Sequence, residues 1–124
     1  MCGIAGILHF NHQSVELNAL KKMTDTLSHR GPDGEGQWLN KTKNVALGHR
    51  RLSIIDLSDA GKQPMHSSDS RYTITFNGEI YNYIELRETL KLKGYQFKSN
   101  TDTEVLIALY DLKKEACLSD LDGM

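Results

Sequence analysis

Between Gln37 and Phe76 the chain offers several short strand-like runs and no helical stretch to separate them. Parallel strands need a crossover of about a dozen residues or more, whereas antiparallel strands close through short turns. Residues 37–39 (Gln-Trp-Leu), 45–49 (Val-Ala-Leu-Gly-His) and 51–55 (Arg-Leu-Ser-Ile-Ile) therefore predict successive antiparallel strands, the first two joined by a polar hairpin around Lys41 to Asn44. Residues 59–70 form a loop punctuated by Gly61 and Pro64. Residues 71–76 then alternate polar and apolar side chains, which marks a half-buried strand. That strand runs into Asn77-Gly78, a pair suited to a tight turn with positive φ.

Helical periods flank this β region. Residues 3–10 are short and apolar and predict a buried first strand, followed by a turn at 11–13. Ser14 then offers a cap for a helix over 15–27, whose apolar face is Ala19 or Leu20 with Met23 and Leu27. His29-Arg30-Gly31-Pro32-Asp33-Gly34 stops it with strong turn chemistry. Further on, Asn82 opens a helix over 83–93 that Gly94 closes, and residues 95–97 make a short strand. Thr101 and Glu104 form a capping-box pattern for a last helix over 102–113, with Val105, Leu106, Leu109 and Leu112 on its apolar side. Trp38, Tyr72, Phe76 and Tyr83 are expected in the core. The order of elements predicts an α+β fold with mainly antiparallel strands. Residues 118–124 end without a closing strand or polar tail, so the chain reads as a fragment.

Composition narrows the function classes. With 39% apolar and 25% charged residues the chain fits a globular domain, and a net charge of −1 leaves no basic stripe for nucleic acid. Lys91, Lys93 and Lys98 fit a solvated face. Cys2 and Cys117 lie far apart without CxxC spacing, which argues against a metal site or a disulfide framework and for a reducing, cytoplasmic setting. Cys117 is expected to be buried and inert. The start has no basic segment, and its apolar run is too short for a signal peptide or membrane span.

From its position alone Cys2 is either a small, half-buried residue at the edge of the first strand or a residue with chemistry to offer. Directly after Met1, it becomes N-terminal if Met1 is removed, and one residue then carries both a thiol and an α-amine. Both groups titrate close to working pH, so the amine can serve as general base for its own side chain. Attack on a carboxamide also needs donors for the tetrahedral oxyanion, and the Asn77 side-chain amide with the Gly78 N–H could supply two. Arg51, at the head of a predicted strand, either forms a surface pair of arginines with Arg50 or offers a planar guanidinium able to grip a carboxylate. Asp102, at a helix N-terminus, either complements the helix dipole or faces a substrate ammonium. His49 reads as a packed strand residue rather than a base.

The set CGIAGI (2–7), HRGPDG (29–34), HRRLSIIDLS (49–58), GKQPM (61–65), FNGEIYNY (76–83) and NTDTEVLIALY (100–110) resembles the N-terminal glutaminase domain of glutamine-hydrolysing asparagine synthetases. These belong to the class II glutamine amidotransferases, within the N-terminal-nucleophile hydrolases. The resemblance implies an αββα layering of helices and antiparallel sheets, truncated here, with residues 1–124 as the N-terminal part of the glutaminase domain. It implies Cys2 as nucleophile, Asn77 and Gly78 as oxyanion hole, and Arg51 on the glutamine α-carboxylate. Leu52, Ser53, Ile54 and Ile55 would line the pocket, and Glu79 and Asp102 would receive the α-ammonium. His29, Arg30 and Asp33 match a loop motif that turn chemistry explains equally well.

The implied substrate is L-glutamine, the implied partner a C-terminal synthetase domain absent from this chain, and a homodimer is compatible with the resemblance. No cofactor is expected in this domain, since ATP and magnesium belong to the synthetase domain. Two alternatives stand beside it. One is a glutaminase feeding ammonia to another acceptor such as a sugar; the other is a non-catalytic glutamine-binding module that keeps Met1.

Overall fold

The computed structural model describes residues 1–11 and 13–124 as a mix of helices and antiparallel sheet. The turn expected at 11–13 includes His12, which lies outside the described residues. The contacts divide the chain into two compact units. The first comprises Met1–Ile54, Lys62–Pro64 and Ile74–Asn77; the second comprises Ile55–Gly61, Met65–Thr73 and Gly78–Met124.

In the first unit, strands β1 (Gly3–Leu8), β2 (Gly34–Leu39) and β3 (Val45–Arg51) form an antiparallel sheet in the order β1-β3-β2. Gly3 pairs with Arg50 and Leu8 with Val45, while Gly34 pairs with Arg51. Helix α1 (Leu17–Thr26) covers one face, where Leu20, Val15 and Ala46 are buried with Ala5, Ile7 and Leu39 against them. Gly48 lets the helix come down onto β3, because a Cβ there would overlap Thr24 Cγ2. The small side chain of Thr24 is fully buried at this approach, and Met23, expected on the apolar face, is 41% exposed.

Several expected boundaries move, each for a local reason. The first strand is an edge strand ending at Leu8, with Ile4, Leu8 and Phe10 exposed rather than buried. Helix α1 begins at Leu17 after an N-cap at Glu16, because the buried Val15 donates its N–H to Lys43 O at 2.7 Å and is held out of the helix. The separate strand expected at 51–55 does not form. β3 runs on through His49 to Arg51, and beyond it the Leu52 and Ser53 amides bond to side chains instead of a neighbouring strand.

The second unit is mainly helical. α2 (Tyr83–Leu92) and α3 (Asp102–Lys113), followed by a 3₁₀ segment (Lys114–Asp120), enclose Leu90, Val105, Ala108, Leu109 and Cys117. Leu112, expected on the apolar side of α3, is 38% exposed. Gly94 takes φ +93° after α2, as its place at the helix end requires. The expected strand at 95–97 is absent: Tyr95 and Phe97 pack on the helix core, and the following Lys98 and Ser99 amides donate to the Glu104 carboxylate.

The loop expected over 59–70 contains a 3₁₀ turn (Asp59–Gly61) and β4 (Met65–His66), which pairs with β5 (Thr73–Ile74). β5 is much shorter than the strand expected over 71–76. Neither Asn77 nor Gly78 has positive φ, so the expected tight turn there does not form. The chain instead continues to Ile80, which forms an antiparallel bridge with Gly123. The last residues are therefore paired: Glu79 and Met124 exchange N–H···O bonds of 3.0 and 2.9 Å.

Candidate active site

Cys2 immediately precedes β1, half-buried. Its Sγ accepts the Leu52 N–H at 3.3 Å and lies 3.6 Å from Leu52 O, so the thiol is seated along one peptide group of the segment after β3. The strand register makes this meeting inevitable. Gly3 pairs with Arg50, so the residue before one strand and the residues after the other lie at the same end of the sheet. Gly3 is needed where it stands, since a Cβ would come within 2.8 Å of Leu27 Cβ at the end of α1.

The turn at 29–34 braces both sides of this thiol. Arg30 Nε donates to Cys2 O at 2.9 Å. Asp33 N donates to Arg51 O at 3.0 Å, and Asp33 Oδ2 accepts the Ser53 N–H at 2.8 Å. Gly31 lies so close to β3 that a Cβ would overlap the backbone of Arg50 and stand 2.6 Å from Arg51 N. One loop thus fixes the main chain on each side of the sulfur. Arg30 and Asp33 are the residues whose long-range role the sequence reading understated. The signal was there in two charged side chains set into a Gly-Pro turn, but their partners lie 20 and 28 positions away.

Of the other expected site residues, Arg51, Leu52 and Ser53 are half-buried and Ile54 is 67% exposed, all in the unit that carries Cys2. Asn77 is half-buried in the same unit, at the end of a segment tied to β3 by a 3.3 Å bond from Thr75 Oγ1 to Gly48 O. His49 is a buried strand residue, and desolvation pushes its imidazole below the ordinary 6.5.

Ile55, Gly78, Glu79 and Asp102 belong to the second unit. There Asp102 Oδ2 accepts the N–H of Ile80, the residue that follows Glu79, at 3.0 Å. Glu79 is exposed and Asp102 buried, on the first turn of α3 where the helix dipole favours a carboxylate. Thr101 caps this helix by accepting the Glu104 N–H at 3.2 Å. The buried Arg87 clasps the approach, donating to Ser99 O at 2.7 Å and Thr101 O at 2.9 Å while lying over the Phe97 ring. Asp56, also buried, accepts the Asn100 N–H at 2.9 Å. Neither Arg87 nor Asp56 stands out in the sequence. Cys117 is buried, and burial pushes its thiol up, away from reactivity.

No helix among the described residues is long and apolar enough to cross a membrane. A family model described as a glutamine amidotransferase domain matches residues 1–124. Over 129 residues the chain is 47% identical to asparagine synthetase (glutamine-hydrolyzing) 1 of Bacillus subtilis, covering 100% of this chain and 20% of that protein. It is 38% identical to asparagine synthetase B (glutamine-hydrolyzing) of Escherichia coli, covering 100% of this chain and 22% of that one. It is also 39% identical to amidase chry2 of Gibberella zeae, covering 99% of this chain and 20% of that protein. The chain thus spans about one fifth of the length of these curated relatives.

Proposed function

The chain belongs to the glutamine amidotransferase domain family, and on that footing we propose that it is the glutamine-hydrolysing domain of an asparagine synthetase. Its fold would be the layered αββα arrangement of the N-terminal-nucleophile hydrolases, and its setting the cytoplasm. Once Met1 is removed, the Cys2 α-amine takes the thiol proton and Sγ attacks the side-chain amide carbon of glutamine. The Asn77 side-chain N–H and the Gly78 backbone N–H receive the oxyanion, a contribution that mutagenesis elsewhere puts at about 3 to 4 kcal/mol per donor. The proton passes from the amine to the leaving nitrogen, ammonia departs, and a γ-glutamyl thioester remains on Cys2. Water attacks that thioester, the amine taking its proton and returning one to sulfur, and glutamate is released.

Arg51 would hold the glutamine α-carboxylate by paired N–H···O bonds. Glu79 and Asp102 would face the α-ammonium, and Leu52, Ser53, Ile54 and Ile55 would shape the pocket. No cofactor is needed for this half-reaction. ATP and magnesium would act in a separate synthetase domain, where ammonia meets an activated aspartate. The observation that carries this reading is the seat of Cys2 Sγ on the Leu52 peptide, in a chain that the family model matches from end to end.

The family description names an amidotransferase domain without an acceptor, and a second reading, in which the ammonia goes to an acceptor other than aspartate, uses the same chemistry at Cys2. Cys2→Ser tests what the two readings share. Glutamate release from glutamine is expected to fall by at least about a thousandfold with glutamine binding retained, and the active protein is expected to have a mass lacking methionine. Unchanged turnover, or an active form that keeps Met1, would overturn the Cys2 chemistry that both readings share, whereas glutamine binding by the parent protein with no glutamate release would favour a glutamine-binding module.

A further inference from the structure

Asn77 stands three residues past the last paired residue of β5, Ile74, so no strand ladder positions it. The segment leading to it is held by side chains. Gln63 Oε1 accepts the Phe76 N–H at 2.6 Å, one residue before Asn77, and Thr75 Oγ1 reaches Gly48 O at 3.3 Å.

Gln63 is itself fixed from the sheet. Gly36 of β2 passes so close to it that a Cβ there would overlap Gln63 O, lie 3.0 Å from Gln63 C and stand 3.3 Å from Pro64 Cδ. The sequence Gly36, Gln63 backbone, Gln63 carboxamide, Phe76 amide, Asn77 is a continuous series of contacts within the unit that carries Cys2.

We infer that Gln63 is a positioning residue for the oxyanion donor Asn77, transmitting the place of β2 to the Asn77 amide through the Phe76 N–H. The inference rests on the glutaminase reading above. Its physical content is that Asn77 serves the reaction only when its N–H meets the oxyanion at hydrogen-bond distance. A displacement of about 1 Å at a reacting centre can cost on the order of a hundredfold in rate. Gln63 touches neither sulfur nor substrate in this scheme, so its loss should weaken turnover more than glutamine binding.

Gln63→Leu keeps the side-chain bulk and removes the acceptor, Gln63→Asn draws the acceptor back by one methylene, and Gln63→Glu keeps an acceptor in place. In the full chain, kcat for glutamine hydrolysis is expected to fall about ten- to a hundredfold in the Leu and Asn variants with KM changed less than about threefold, and to recover in the Glu variant. Alkylation of Cys2 by iodoacetamide, which develops no oxyanion, is expected to keep its rate. Inhibition by glutamate γ-semialdehyde, whose thiohemiacetal places oxygen in the hole, is expected to weaken in step with kcat.

An unchanged kcat in both the Leu and Asn variants, or a rise in KM alone, overturns the inference while leaving the glutaminase reading intact. A wild-type chain that hydrolyses no glutamine overturns the reading itself. If the Leu variant does not fold, the Asn and Glu pair decides.

Discussion

The unit that carries Cys2 and the unit that carries Asp102 hold their key residues by different means. Around Cys2 the main chain is irregular, and it is pinned by side chains arriving from far along the sequence: Arg30 on Cys2 O, Asp33 on Ser53 N, and the thiol itself on Leu52 N. Around Asp102 the backbone is a helix turn whose cap lies nearby in sequence, with Thr101 accepting the Glu104 N–H and Glu104 accepting the Ser99 N–H, while the Asp102 carboxylate itself reaches the Ile80 N–H. Arg87 adds a clasp from α2. A thiol at the end of a sheet needs loops brought to it, whereas a carboxylate at a helix N-terminus has its main chain set by the helix.

Gly31→Ala tests the first arrangement most severely. The added methyl has only the Arg50–Arg51 backbone to push against, so a loss of about 3 kcal/mol in unfolding free energy is expected, with amide exchange accelerating in β1 and β3. If protection falls equally in α2 and α3, the contrast between the two units breaks down.

Arg87→Met is the matching test for the second arrangement. It leaves the Ser99 and Thr101 carbonyls without their donors in a buried place, which should cost about 2 kcal/mol and loosen the first turn of α3 before β1 or β3. Equal protection at Asp102–Val105 in the variant and the parent would show that the local cap is sufficient alone.

The smallest effect concerns His49 and sharpens the contrast, since it lies in the sheet unit. Burial lowers its pKa in the folded state, so the unfolded chain binds the proton more readily. Its contribution to stability is complete above pH 6.5 and is lost as pH falls from there towards the folded value. A decline of about 1 kcal/mol per pH unit is expected in that window, read from denaturant midpoints, and His49→Gln should flatten it. An unaltered slope in that variant would assign the decline to other groups.

The same contrast explains what was legible in the sequence. α2 and α3 could be read nearly to the residue, because Gly94, Thr101 and Glu104 act within a turn of where they stand. Antiparallel pairing was legible from the short connection between β2 and β3. Leu52-Ser53-Ile54-Ile55 has a strand's composition, yet its first two amides are taken by a thiol 50 residues away and a carboxylate 20 residues away, which no window on the chain reveals. Tyr95-Gln96-Phe97 misleads in the same manner, since its alternation serves packing on the helices instead of a ladder. Cys2, Asn77 and Asp102 could be singled out by residue type, while the bonds that hold the main chain beside them come from Gln63, Arg30, Asp33 and Arg87.

The β2–β3 hairpin has a practical consequence. Its tip, with Lys41, Thr42 and Lys43 exposed, lies past the Leu8–Val45 pair, whereas Cys2 lies past the Gly3–Arg50 pair at the opposite end. Five strand steps of about 3.4 Å separate those pairs, or about 17 Å. A fluorophore or surface tether attached at Lys41 would therefore sit well clear of the sulfur, and the first unit could be immobilised or tracked by that handle without crowding its thiol.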